Sequence, residues 1–127
     1  MFIFGSVSEK NLIGVHCDLV RVARRALVLT TIDFRVIEGL RTKERQQQLV
    51  NRGASTTMNS RHLTGHAIDI VPLPDGKVSW DWKYFYPLAE AMKRAADELG
   101  VTLEWGGDWK TFKDGPHFQL SQRNYPV

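Results

Sequence analysis

Ser60-Arg61-His62-Leu63-Thr64-Gly65-His66-Ala67-Ile68-Asp69 is the stretch that decides how this chain folds. It crowds metal-ligand side chains against an apolar run, Ala67 to Val71, that reads as a short buried strand. If His62 and Asp69 share one metal ion, no regular structure can lie between them. That separation is about 10.5 Å of rise on a helix and about 23 Å in an extended chain, whereas zinc ligands sit only about 2.0–2.2 Å from the ion. The chain must therefore fold back, and Gly65 is the residue that permits the bend. Asp69 then stands on the strand while His62 reaches over from the loop. Spacing alone does not separate His62 from His66 as the reaching histidine. It also leaves open the plainer reading of a satisfied core histidine and an aspartate bonded to backbone amides.

The same juxtaposition recurs downstream in Trp105-Gly106-Gly107-Asp108-Trp109 and Asp114-Gly115-Pro116-His117-Phe118. Polar ligand types again border apolar strand residues, so the side chains are expected to hang from the edge of a sheet. His117 is the natural third ligand, and Pro116 pushes Gly115 toward an extended conformation ahead of it. Two histidines and one carboxylate leave the fourth tetrahedral position of a zinc ion open, the pattern of a catalytic rather than a structural site. Asp114 lies three residues before His117 and is placed to act as general base on a water there.

Working outward, Ser6-Val7-Ser8-Glu9 has the spacing of a capping box. Behind it Leu12, Val15, Leu19, Val22, Ala23, Ala26 and Leu27 form one helical stripe running to about Leu29. Phe34 to Leu40 reads as a strand, and Thr42 caps a second helix through about Val50, ended by Asn51-Arg52-Gly53. Residues 53–66 form a long loop, and Pro74-Asp75-Gly76 is a turn. Trp82, Phe85, Leu88, Ala89, Met92, Ala95, Ala96 and Leu99 carry a third helix closed by Gly100. Val101 to Trp105 and His117 to Leu120 read as strands flanking a loop. No repeat or linker interrupts this order, which describes one compact α+β domain spanning residues 1–127.

Composition agrees. A chain of 127 residues, 43% hydrophobic and 24% charged, suits one soluble domain. One cysteine makes no internal disulfide. No basic stretch followed by an apolar core marks a secretory signal at Met1 to Gly5, and no apolar run is long enough to span a membrane. The net charge of +3 favours approach to a polyanion. Its basic residues are dispersed, however, and the densest group, Arg21, Arg24 and Arg25, reads as a solvated helix face rather than a nucleic-acid surface. Cys17 and His16 would point about 100° apart on a helix, with no acid–histidine pattern around them, so no cysteine nucleophile is expected.

The segment from Ser60 to Asp69 resembles the S-x-H-x-x-G-x-A-x-D motif of zinc peptidases that cut D-amino-acid-containing wall peptides. Trp105 to Phe118 is similar, within that group, to the L-alanyl-D-glutamate peptidase endolysins of bacteriophages. The opening helix, Gly39-Leu40-Arg41-Thr42 and the chain length resemble the same branch, so the likeness covers nearly the whole chain. The resemblance implies a central, mostly antiparallel sheet with helices on one side and the zinc site at the sheet edge. It implies His62, Asp69 and His117 as ligands of Zn2+, which decides against His66. It implies Asp114 as general base, where many relatives carry glutamate, and Arg41 beside the scissile carbonyl, where a guanidinium stabilises an oxyanion.

Around these, Ser60 is expected to orient the loop or hydrogen-bond the site, and Gln48 is read as supporting the site from the second helix or as an exposed polar residue. Trp105 and Trp109 are read as walls of the groove or, as tryptophans near strand ends, as core residues. Asp108 is read as a partner for a ligand histidine or as the residue fixing the Gly106-Gly107 turn. The implied activity is zinc-dependent hydrolysis of the L-Ala–D-Glu bond of the peptidoglycan stem peptide, in phage lysis of the host. The implied partner is peptidoglycan, with no nucleic acid, no membrane insertion and a monomeric protein. The route is synthesis in the host cytoplasm and release to the wall by a separate membrane-permeabilising protein. Three rivals remain at this point: a D-Ala-D-Ala carboxypeptidase on the same fold, a metal-stabilised binding module without turnover, and a basic nuclease.

Overall fold

Alternation along three strands sorts the molecule into two faces. The structure, a computed structural model, describes residues 2–55 and 57–126. Strands β1 (Phe34–Glu38), β2 (Ala67–Pro72), β3 (Leu103–Trp105) and β4 (His117–Leu120) form one antiparallel sheet in the order β1-β2-β4-β3. Phe34 and Val36, Ile68 and Ile70, and Phe118 and Leu120 point to one face and are buried there. Helices α2 (Cys17–Leu29) and α4 (Phe85–Leu99) cover that face. Leu19, Val22, Ala23 and Ala26 of α2 meet Leu88, Met92, Ala95 and Ala96 of α4 in one core. The alanines let the two helix axes approach closely, and each buried Leu contributes about 1.5–3 kcal/mol.

The apolar stripe expected as a single helix is two helices. Helix α1 (Ser6–Leu12) stops before Gly14, whose φ of +82° turns the chain ahead of α2. Here tertiary contacts override the periodicity, because the turn is fastened to the Gly65 bend by a hydrogen bond from the His16 amide to the Gly65 carbonyl at 2.8 Å. The capping box is not made either. Gly5 is the N-cap of α1 and Glu9 pairs instead with Arg24 at 2.7 Å. Ser8 is turned to another use: its Oγ accepts from the Val36 amide at 3.0 Å, while Asn11 donates to the Val36 carbonyl at 2.9 Å. Helix α1 thereby satisfies the outer edge of β1, which would otherwise offer unpaired backbone groups.

Helix α3 (Lys43–Asn51) begins as expected, with Thr42 Oγ1 accepting from the Arg45 amide at 3.1 Å. It borders the other face of the sheet, where Leu49 lines an open cleft. Strand β1 ends at Glu38 rather than Leu40, and α4 starts at Phe85 after a short 3-10 turn at Trp82–Tyr84. The Arg21, Arg24 and Arg25 group is a solvated face, each arginine paired with a carboxylate: Asp18, Glu9 and Glu98 respectively.

Candidate active site

Residues 69 and 117 are direct partners in the β2–β4 register. Since Ile68 and Phe118 point to the helices, Asp69 and His117 point to the opposite face, on the two central strands of the sheet. This refines the expected position: the site stands on the open face and not on an outer strand. His62 reaches the same point from a 3-10 turn at Arg61–Thr64, capped by Ser60, whose Oγ accepts from the His62 amide at 3.2 Å. Gly65 ends that turn with φ +76°. A Cβ at Gly65 would lie 2.5 Å from the Gly14 carbonyl oxygen, so the bend requires glycine on two counts.

The two imidazoles are held in defined tautomers. His62 is 2% exposed and its Nδ1 lies 2.9 Å from the Gly39 carbonyl, which can only accept, so the proton is on Nδ1. Its Nε2 is 3.3 Å from Asp69 Oδ1. On His117 the assignment reverses. Its Nε2 lies 2.7 Å from Gln119 Oε1, and the Gln119 amide is itself oriented by donating to Glu104 at 3.2 Å. His117 Nδ1 is left facing Asp69 Oδ1 at 3.3 Å. The ligand atoms of His62, Asp69 and His117 all lie within 4.8 Å of one another. In the neutral tautomers, electron pairs from all three side chains converge, and only a cation satisfies that arrangement. The donor set, two nitrogens and one carboxylate, fits zinc, and Gly39 and Gln119 supply the outer partners such ligands need.

The electrostatics agree with a site built for positive charge. With no metal between them, burial by itself would raise the Asp69 pKa, but hydrogen bonds from His117 and His62 in their protonated forms outweigh it and hold this carboxylate well below the usual range. Burial opposes charge on His117 too, yet Asp69 beside it leaves its pKa raised. Asp114 is half-buried and moves the other way: burial first, then the Asp69 charge, push its pKa up. Among the described residues it is the one acid of the cleft with an upward shift, and general acid–base work at near-neutral pH calls for such a shift.

Asp114 is placed by its backbone. Its amide donates to the Gly106 carbonyl at 3.1 Å and its carbonyl accepts from the His117 amide at 3.2 Å. A Cβ on Gly106 would lie 2.3 Å from the Asp114 carbonyl oxygen, which explains the glycine after Trp105. Arg41 is 7% exposed at its side chain; Nε donates to Glu38 at 2.8 Å, Nη1 to Gln46 at 2.7 Å, and Nη2 lies 3.7 Å from Asp69 Oδ2. These groups line an open cleft of about 760 Å3.

Several expected site residues fall elsewhere. Gln48 is exposed and does not line the cleft. Two positions are about 200° apart on a helix, and Gln46 is the buried one: it accepts from Arg41 and donates to Ser55 Oγ at 2.9 Å and to the Thr57 carbonyl. Trp105 is buried in the core, stacked on Phe118, with its indole N–H donating to the Gly115 carbonyl at 2.7 Å, so it braces the loop and does not wall the groove. Trp109 does line the cleft, its ring centroid 5.1 Å from that of His117. Asp108 is exposed and pairs with Lys93 at 2.7 Å; the histidine partner is Gln119. Gln119 had a readable signal, since residues two apart share a strand face.

Glu38 had none. Regular pairing would set it opposite Ile68, but a bulge after Val36 sets it opposite Asp69 and turns it onto the site face. A second group of ligand types, His16, Cys17 and Asp18, lies outside the cleft and is spent on other bonds. His16 Nδ1 caps α2 by accepting from the Asp18 amide at 3.1 Å, and Asp18 accepts from Tyr125 at 2.7 Å and Arg21 at 3.2 Å. His66 sits beside His16, away from the cleft.

Two buried histidines and an aspartate gathered over an open cleft, with a raised-pKa acid on its wall, fit a metal-dependent hydrolase. A family model described as phage L-alanyl-D-glutamate peptidase matches residues 1–121. The chain is 40% identical over 128 residues to the L-alanyl-D-glutamate peptidase of Escherichia phage T5, covering 98% of this chain and 93% of that one. It is 34% identical over 102 residues to the peptidoglycan L-alanyl-D-glutamate endopeptidase CwlK of Bacillus subtilis, covering 70% of this chain and 61% of CwlK. The crystal structure of the Serratia marcescens L-Ala D-Glu endopeptidase ChiX superposes with a TM-score of 0.93 at 56% identity, covering 98% of this chain and 93% of that one. The chain belongs to the phage L-alanyl-D-glutamate peptidase family.

Proposed function

We propose that this protein is a zinc-dependent endopeptidase that cleaves the L-Ala–D-Glu bond of the peptidoglycan stem peptide, as a single domain and a monomer, in phage lysis of a bacterial host. The observation that carries the reading is the convergence of His62 Nε2, His117 Nδ1 and Asp69 Oδ1, with the other imidazole nitrogens tied to Gly39 and Gln119. His62, Asp69 and His117 would hold the zinc ion. When bound, zinc supplies Lewis-acid polarisation of the scissile carbonyl and lowers the pKa of water toward about 7.

The remaining work falls to the chain. Asp114, ionised, accepts a proton from the attacking water on a carboxylate oxygen and passes it to the leaving amine of D-glutamate. Its raised pKa lets it keep the proton between those two events. Arg41 keeps N–H groups available to the developing oxyanion because Glu38 and Gln46 fix the plane of its guanidinium. The cleft is open, as an endopeptidase acting within a polymer requires, and Trp109 forms part of its wall. Among the described residues no helix is long and apolar enough to cross a membrane. By analogy with the phage peptidases it resembles, the enzyme would pass from host cytoplasm to wall with the help of a separate membrane-permeabilising protein.

Mass spectrometry of fragments released from intact peptidoglycan tests this reading. New peptides with D-glutamate at a free N-terminus are expected, and a chelator or Asp114→Ala should abolish them. Release of free D-alanine alone would move the activity to a carboxypeptidase, and zinc binding with no cleavage would leave a binding module.

A further inference from the structure

We propose that Lys113 recognises a carboxylate on the leaving half of the substrate and so makes the cleft select a glutamate residue on that side of the scissile bond. The inference rests on the L-Ala–D-Glu reading of the activity. A glutamate residue inside a peptide keeps one carboxylate free, whichever of its carboxyl groups carries the next link. The leaving fragment therefore brings an anion to within a few bonds of the scissile nitrogen. The cleft itself is lined by the acids Glu38, Asp69 and Asp114, which oppose that anion unless a cation balances it.

Of the cations that line the cleft, two are committed. Arg41 is held by Glu38 at 2.8 Å and Gln46 at 2.7 Å, and the N–H groups it has left are the ones assigned to the oxyanion. Arg61 is buried, with Nη2 donating to the Leu120 and Tyr125 carbonyls and with Nε and Nη1 shut off from solvent, so an entering substrate cannot reach it. Lys113 is exposed, lines the cleft, and has no carboxylate partner among the described residues. Its position is set by its neighbour Asp114, whose backbone is bonded to Gly106 on one side and to His117 on the other. Lys113 thus lines the cleft one residue before the acid assigned to protonate the leaving amine. Proton donor and anion receptor would then meet the same fragment.

Two stem-peptide fragments test this, identical except that the free carboxylate of D-glutamate is a carboxamide in the second. The wild-type protein should prefer the acid by roughly five- to tenfold in kcat/KM, the range between an exposed pair and a charge-assisted hydrogen bond. The preference should lie in KM and shrink with added salt. Lys113→Met should bring the ratio close to one, Lys113→Arg should restore it, and Lys113→Glu should invert it. Melting curves on each variant separate recognition from folding. A Lys113→Met protein that keeps the wild-type preference, or a wild type that cuts both peptides equally, overturns the inference and leaves the activity intact. A wild type that cuts neither overturns the activity reading, and the inference with it.

Discussion

The two faces of the sheet are built from the same strands under opposite rules. On the helix face, Val36, Ile68, Ile70, Phe118 and Leu120 meet α2 and α4 through apolar contacts alone. That side needs only the right volume and hydrophobicity. On the other face, Asp69, His117, Glu38 and Arg41 must keep hydrogen bonds and an ion pair to one another at 2.8–3.7 Å. Strand β2 serves both, sending Ile68 and Ile70 to the core and Asp69 between them to the site. A slip of one residue in its register would exchange the two sets. Rigidity on one side is therefore what gives precision on the other.

Substitutions on the two faces should fail in different ways. The largest effect is expected from His62→Ala or Asp69→Ala, which should take cleavage to background while metal titration shows the loss of tight binding. Asp114→Asn should retain metal and lower kcat by about 10²–10⁴-fold, read from peptide hydrolysis at saturating substrate. Gln119→Leu removes the acceptor that sets the His117 tautomer, and metal affinity should fall about 10–100-fold, measured by competition with a chromophoric chelator. On the helix face, Leu19→Ala or Met92→Ala should cost about 2–5 kcal/mol of stability in denaturant unfolding while leaving kcat per folded molecule close to wild type. A helix-face variant that altered metal affinity by a hundredfold would break the division between the faces.

The smallest effect concerns pH, and its sign comes from the shifts at the site. In the metal-free protein, burial works against charge on His117 but Asp69 leaves its folded pKa above the ordinary 6.5. That stability is fully present below the unfolded pKa and is lost as pH rises through the folded one. Asp69 has a depressed folded pKa, so its contribution is present above the ordinary 3.8 and is lost only as pH falls toward that depressed value. The metal-free protein should therefore melt lower at pH 9 than at pH 6, and Asp69→Asn should flatten this difference. Metal should reverse the trend, because its ligands must be deprotonated to bind it.

How much of this was legible depended on whether the signal was periodic or geometric. The strand at Ala67, the helix at Thr42 and the helix ending at Gly100 arise from local periodicity and caps, and the structure has them. Asp69, His117 and Asp114 stood out because their motifs are short and dense, while His62 was separated from His66 only by the resemblance to the zinc peptidase motif; the structure brings all four to one cleft. The supporting residues were hidden for physical reasons. Glu38 depends on a bulge, Gln46 on which of three consecutive glutamines faces inward, and Trp105 on a core contact that sequence cannot distinguish from a groove wall. The break at Gly14 was hidden as well, since the apolar stripe continues across it while the Gly65 contact fixes the turn.

His62, Asp69 and His117, and not the His16, Cys17 and Asp18 group, are expected to hold the metal. X-ray absorption at the zinc edge, on protein loaded with one equivalent, tests this most directly. The predicted result is a first shell of nitrogen and oxygen alone, with two imidazoles at about 2.0–2.1 Å. A sulfur at about 2.3 Å would put the ion at Cys17 and contradict the account.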